Sequence, residues 1–313
     1  MISHEILTRY NKSCVASTTR WRPLDTAVRD MSRCKNSDAG PGAFDVDEGD
    51  ALHTRLVRAW REAAQRTKLP LVTSLARQKM TMVLALAVLR CNVPGDFVEA
   101  GVLRGGTSLI MMDALRAADK QRSRHMWSCD SFEGLPDTHA ADADCRRAGL
   151  QPGHLRQFTV RSSNSSDCTM RWGRGAFKAP RILFEANLLR YYKLPLSDAA
   201  ALESRHHVVP GWFNESLPPA GLSRIAFLRI DSDLYESTRD SLTSLFPLVS
   251  PGGLVYVDDY QTWPGVATAV DEFLASGHRR IQLHHINEVG GQGILNNTQS
   301  TAQTNAVWFM KPL

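Results

Sequence analysis

Four aspartates carry the first chemical signal in this chain. Asp231 and Asp233 alternate in RIDSDLYEST, directly after the apolar run IAFL, and Asp258 and Asp259 stand together in VYVDDY. A strand leaving a core needs one turn residue at that point, and a single Asp would serve. If the two strands are neighbours, Asp231, Asp258 and Asp259 converge, with Arg229 the one basic residue close by in these motifs. Carboxylates so poorly compensated call for a cation or for raised pKa values. Oxygen donors without His or Cys suit Mg²⁺, which makes Asp231, Asp258 and Asp259 candidate metal ligands. The bland alternative makes Asp258 and Asp259 a strand-end turn and Asp233 the N-cap of a helix over LYESTRDSL.

A second signal lies upstream. FVEAGVLRGGTSL has the form of a strand, an acid (Glu99), a turn glycine (Gly101), then Gly105 and Gly106 opening a helix. Gly101 permits a tight turn, and Gly105 and Gly106 let a ligand approach the backbone. The spacing is not that of the dinucleotide fingerprint, and Glu99 would repel a diphosphate while attracting an ammonium group. Asp130, ending a strand in SCDSF, is placed to accept the two hydroxyls of a ribose. An aminoacyl group at the first turn and a ribose at the second strand together describe S-adenosylmethionine. Beside a methyl donor, Mg²⁺ would lower the pKa of an acceptor hydroxyl and aim it, and a nearby carboxylate, Asp231 or Asp233, would take the proton.

The elements that must position these residues alternate along the chain. Helical patterns cover Asp50 to Leu89, and the apolar window Met80 to Leu89 reads as a buried helix. Strand-like runs then follow at DFVEAGV, HMWSCDSF, HHVVPGWF, RIAFLRIDSD, GGLVYVDDY, RIQLHHIN and NAVWFMKP, with helices between several of them. Such alternation predicts an α/β fold, a Rossmann-like parallel sheet with helices on both faces. Ligands of such sheets bind beyond the carboxyl ends of the strands, so Glu99, Asp130, Asp231, Asp258 and Asp259 gather on one rim. Residues 1–50 carry little periodic signal and read as a poorly ordered arm, with the main domain over 51–313 and its N-terminal helices over 51–93. The polar stretch 137–200 breaks the rhythm and reads as a lid-like insert over the acceptor pocket.

Composition narrows the function classes. The chain has 313 residues, 43% hydrophobic and 22% charged, which is ordinary for a globular domain. No apolar run approaches the roughly 20 residues of a membrane helix. The net charge is +5, but the Arg residues are scattered among acids without interleaved aromatics, so neither nucleic acid nor a membrane is expected as partner. Cys91 and Cys129 sit in apolar surroundings and read as reduced core thiols. The start MISHEILTRYNKSC lacks the apolar core of a secretory signal, so the expected location is cytoplasmic, with export and organelle targeting left open. Four sequons, at Asn11, Asn164, Asn214 and Asn296, permit a glycan-modifying protein of the secretory route instead. A non-catalytic S-adenosylmethionine- or nucleotide-binding module is the other alternative, although three repelling carboxylates bring nothing to a protein that only binds.

The ordered set GDFVEAGVLRGGTSLIMM, DSFEGLP, VVPGWFNESLP and LRIDSDLYESTRDSLTSLFPLVSPGGLVYVDDY resembles the macrocin O-methyltransferase (TylF-type) family. The resemblance implies a class I methyltransferase sheet and a Mg²⁺-dependent, S-adenosylmethionine-dependent O-methyltransferase acting on a sugar or phenolic hydroxyl of a small molecule. It implies metal ligands at Asp231, Asp258 and Asp259 and a base at Asp231 or Asp233. Cofactor contacts are implied around Glu99, Gly101, Gly105, Ser108, Asp130 and Ser131, with Gly211 and Trp212 on the adenine side. Homo-oligomerisation is left open.

Overall fold

The computed structural model describes residues 56–65, 69, 73–119, 121, 123–143, 159–161, 168–170, 173–194, 205–260, 262–286 and 306–313. The expected arm over residues 1–50 lies outside them, as do the sequons at Asn11, Asn164 and Asn296.

The central strands are apolar on both faces, so each must be covered twice. They are β1 (Asp96–Ala100), β6 (Ile225–Ile230) and β7 (Val249–Val257), flanked by β2 (Met126–Asp130) and the edge strand β5 (His206–Pro210). They run parallel in a seven-stranded sheet of order β5-β2-β1-β6-β7-β9-β8. The last two strands depart from the all-parallel expectation: β9 (Ala306–Met310) runs antiparallel to β7, and β8 (His284–Ile286) antiparallel to β9. A strand entering from the opposite direction needs no crossover helix beside its neighbour. A small hairpin of β3 (Thr159–Arg161) and β4 (Cys168–Met170) stands apart.

Alternate strand residues feed two cores. Phe97, Phe227, Tyr256 and Trp308 point to one face, under α1 (56–65), α2 (Leu75–Arg90), α3 (Gly106–Ala118) and α4 (Arg181–Tyr192). Val98, Leu228, Val255 and Phe309 point to the other, under the short α5 (Phe213–Ser216), α6 (Tyr235–Leu245) and α7 (Pro264–Ala275). Helix α2 is apolar nearly all round and buried along most of its length, as a core helix must be. No helix of the described residues is long and apolar enough to cross a membrane.

The insert divides. Its later part forms α4, whose Phe184 and Leu188 are fully buried in the first core, so the described portion from Arg181 to Tyr192 is a packed wall. Residues 144–158, 162–167, 171–172 and 195–200 of the insert lie outside the described residues. Cys129 is a free, buried thiol as expected. Cys91 is disulfide-bonded, against the reading of a reduced core thiol.

Candidate active site

The order of the sheet fixes where a ligand can enter. From β1 the chain moves outward to β2 and β5, then returns to β6 on the other side of β1. The connections leaving β1 and β6 therefore part company at their carboxyl ends, and a crevice opens between them. Gly101 lines this point at φ +90, and a Cβ there would lie 1.8 Å from the carbonyl oxygen of Asp231. Only glycine lets the two strand ends approach this closely.

One side of the crevice is built by β1, β2 and β5. The amides of Val102 and Leu103 donate to Asp130 Oδ2 at 2.8 and 3.1 Å, and the Phe132 amide donates to Oδ1 at 2.8 Å. Asp130 thus clamps the glycine turn, and a carboxylate with about four acceptor positions keeps capacity for a hydroxyl. Ser131 accepts from the Glu133 amide and donates to the Gly134 carbonyl. The Gly211 amide donates to the Asp130 carbonyl at 3.0 Å, which brings Gly211 and Trp212 to the same wall, with the Arg174 guanidinium over the Trp212 ring. Gly105 starts α3 at φ +86, and Phe184 and Leu188 of α4 fill the space where its side chain would be.

Glu99 and Ser108 are less open than their neighbours. Glu99 is 1% exposed, with one oxygen on Ser108 Oγ and the other 3.0 Å from Arg229 Nη1. Burial pushes its carboxyl up to about 7 against the pull of Arg229. The polar chain continues from Ser108 to Ser128 and to His206 Nε2, 2.9 Å from Ser128 Oγ. Glu99 therefore braces the turn from beneath, and reaching a ligand ammonium requires it to exchange one of these partners.

His206 supplies a pH signature. Burial, then repulsion from His207, lowers its pKa from 6.5 to about 4. As pH falls from 6.5 towards 4 the unfolded chain takes a proton that the folded chain refuses, so this residue withdraws stability over that window. His206→Gln removes the withdrawal. The stability advantage of wild type over the variant should shrink by up to about 3 kcal/mol between pH 7 and 4, measured by denaturant unfolding. A difference that stays constant with pH would refute the assignment.

The other side of the crevice holds the aspartates. Strands β6 and β7 are neighbours, with Ile230 opposite Val257, so Asp231 and Asp258 emerge side by side as expected. Asp231, Asp233 and Asp259 each offer an oxygen within 4.8 Å of the others. Asp233 and Asp259 reach this position with φ of +62 and +57, a left-handed conformation uncommon in non-glycine residues and concentrated at functional sites. Desolvation and mutual repulsion raise all three acids: Asp231 to about 7, Asp233 well above the ordinary carboxylate range, and Asp259 upward against the pull of Arg77.

Two sequence expectations change here. Asp233 is not the N-cap of α6; Leu234 holds that position and supplies no side-chain cap. The Tyr235 amide is taken instead by Asp142 Oδ1 at 2.8 Å, from the insert. Arg229 is not the only nearby cation, since Arg77 of α2 donates to Asp258 Oδ1 at 2.7 Å and Asp259 Oδ1 at 2.8 Å. Asp258 is 2% exposed with both oxygens engaged, one by Arg77 and the other by Arg229. Asp231, Asp233 and Asp259 are thus the three acids whose oxygens gather in this arrangement, with Asp258 behind them. Asp142 and Arg77 escaped sequence reading because they lie 93 and 181 residues from their partners.

Comparison with known proteins agrees with this architecture. The family model described as "Macrocin-O-methyltransferase (TylF)" matches residues 59–165 and 196–292. A protein of Streptomyces olivaceus, named 8-demethyl-8-(2,3-dimethoxy-alpha-L-rhamnosyl)-tetracenomycin-C 4'-O-methyltransferase, is 35% identical over 76% of this chain and 78% of its own. The demethyldecarbamoylnovobiocin O-methyltransferase of Streptomyces niveus is 39% identical over 59% of this chain, which spans only 60% of that relative. The solved structure of the O-methyltransferase NovP, 32% identical, superposes with a TM-score of 0.56, covering 78% of this chain and 84% of that one. The chain belongs to the macrocin O-methyltransferase (TylF) family.

Proposed function

We propose that this chain is an O-methyltransferase that binds S-adenosylmethionine on the β1, β2 and β5 side of the crevice and a divalent ion on the β6 and β7 side. The acceptor is a hydroxyl of a small natural product, either sugar or phenolic. The observation that carries the reading is the arrangement across one switch point: a glycine turn clamped by Asp130 on one wall, and Asp231, Asp233 and Asp259 within 4.8 Å on the other. The name of the tetracenomycin relative, a 4'-O-methyltransferase of a rhamnosyl compound, supports a sugar hydroxyl.

The donor set fits Mg²⁺. It is all oxygen, and burial with mutual repulsion raises Asp231 and Asp233, a repulsion that a cation would relieve. When bound, Mg²⁺ supplies Lewis acidity that favours the deprotonated acceptor oxygen, and S-adenosylmethionine supplies the methyl group. The remaining work falls to the chain. Arg229 fixes Asp231 through Oδ2 at 2.9 Å, whereas Asp233 shares a hydrogen bond with Asp259, which makes Asp233 the candidate base held by an acid rather than by Arg229. Only the ionised form of Asp233 can take the hydroxyl proton, and the repulsion from Asp259 and Asp231 that raises its pKa is what a bound cation would offset. Asp130 accepts a ribose hydroxyl, Ser131, Gly211 and Trp212 border the nucleoside, and the turn from Gly101 to Gly105 admits the methionine part, with Glu99 and Ser108 beneath it.

A charge-assisted hydrogen bond contributes about 1.5–3 kcal/mol, so Asp130→Ala should weaken S-adenosylmethionine binding by roughly one to two decades. Calorimetric titration of the folded variant checks this. Unchanged affinity would remove Asp130 from the cofactor site.

A further inference from the structure

Arg77 lies outside the cofactor wall, yet its guanidinium is the second cation of the acidic cluster. A single nitrogen, Nη1, donates to Oδ1 of both Asp258 and Asp259, and the side chain is only 11% exposed. Among the described residues the cluster holds five carboxyl groups, on Glu99, Asp231, Asp233, Asp258 and Asp259. Arg229 reaches Glu99, Asp231 and Asp258, and Arg77 reaches Asp258 and Asp259. The place of Arg77 is set by the helix start: the Ser74 hydroxyl accepts from its amide at 3.2 Å. The next residue, Gln78, donates to the Thr73 carbonyl and accepts from Arg61 of α1. The backbone is pinned to the N-terminal helices, while the long side chain spans from α2 to the end of β7.

An ion held by Asp259, with or without Asp258, shares a carboxylate with the Arg77 N–H donor, so it must sit within a few ångströms of a positive charge. We infer that Arg77 is a resident counter-cation of the acidic cluster: it neutralises Asp258 and Asp259 before an ion arrives, and it lowers the affinity of the site for that ion. The inference rests on the divalent-ion reading above. It gives α2 a role beyond packing, because ion entry must swing the Arg77 side chain away or overcome its charge. The cluster can then fold without an ion and still release one.

The test is a calorimetric titration of Mg²⁺ into ion-free wild type, Arg77→Met and Arg77→Lys, with S-adenosylmethionine binding as the check of folding. Arg77→Met should bind Mg²⁺ about ten- to a hundredfold more tightly, from the loss of a like charge at short range. Arg77→Lys, which keeps the charge, should stay close to wild type. Thermal unfolding gives an independent readout: in EDTA Arg77→Met should melt below wild type, and Mg²⁺ should raise its Tm by the larger amount. If methionine prevents folding, Arg77→Gln keeps a donor to the two aspartates without the charge and should show the same gain in affinity. Equal or weaker Mg²⁺ binding by the folded neutral variants would overturn the inference while leaving the ion reading intact. Absence of Mg²⁺ binding in every folded protein, wild type included, would defeat the ion reading and this inference with it.

Discussion

Arg229→Met should destabilise the folded chain by about 3–5 kcal/mol, the usual loss when one member of a buried charge network is removed and its partners stay behind. Arg229 is fully buried and donates to Glu99, Asp231 and Asp258. Methionine fills similar volume, so the loss reports charge more than a cavity. Glu99 and Asp258 would remain enclosed at 1% and 2% exposure without their shared cation. Because desolvation already raises Glu99 to about 7 with Arg229 present, the variant should keep that carboxyl protonated to higher pH. Denaturant unfolding at pH 7 and again near pH 5 separates the two effects: the penalty should be smaller at the lower pH, where Glu99 and Asp231 carry protons. A loss under about 1 kcal/mol at both values would mean that the network relaxes into solvent.

Chelation should reduce methyl transfer to an accepted hydroxyl by at least about a hundredfold, the scale of removing acid–base or Lewis-acid assistance from such a step. Asp233→Asn should lower the rate by a similar factor while leaving Mg²⁺ affinity less affected than Asp231→Asn does, because Asp233 is assigned to the proton. Asp130 and the glycine turn lie on the opposite wall, so S-adenosylmethionine affinity should move little in either case. Rates with the Mg²⁺-loaded and EDTA-treated protein, measured beside cofactor binding, check this. Full activity in EDTA would make the aspartate cluster structural.

Much of this architecture could be read from local pattern. Apolar runs of strand length placed Asp130, Asp231 and Asp258 at the carboxyl ends of β2, β6 and β7, and the parallel strands put them there, while Glu99 is buried one residue inside β1. Gly101 signalled a tight turn; that it also lies against the Asp231 carbonyl is visible only in the fold. What could not be read was pairing across distance. Nothing near Arg77 in the sequence points to Asp258 and Asp259, and nothing near Asp142 points to the start of α6. Asp233 looked like a cap because Asp before a helical run usually is one. The chain instead holds it at φ +62 beside Asp259, which local propensity does not favour. The polar composition of the insert also concealed α4, whose Phe184 and Leu188 complete the wall behind Gly105.

The most direct measurement is calorimetric titration of S-adenosylmethionine into the wild-type chain, once in Mg²⁺ and once in EDTA. A crevice with cofactor and ion on opposite walls should give one-to-one binding in both buffers, with affinities that differ by less than about one decade. A folded protein that takes up no S-adenosylmethionine in either buffer would contradict the assignment of this crevice as a methyl-transfer site.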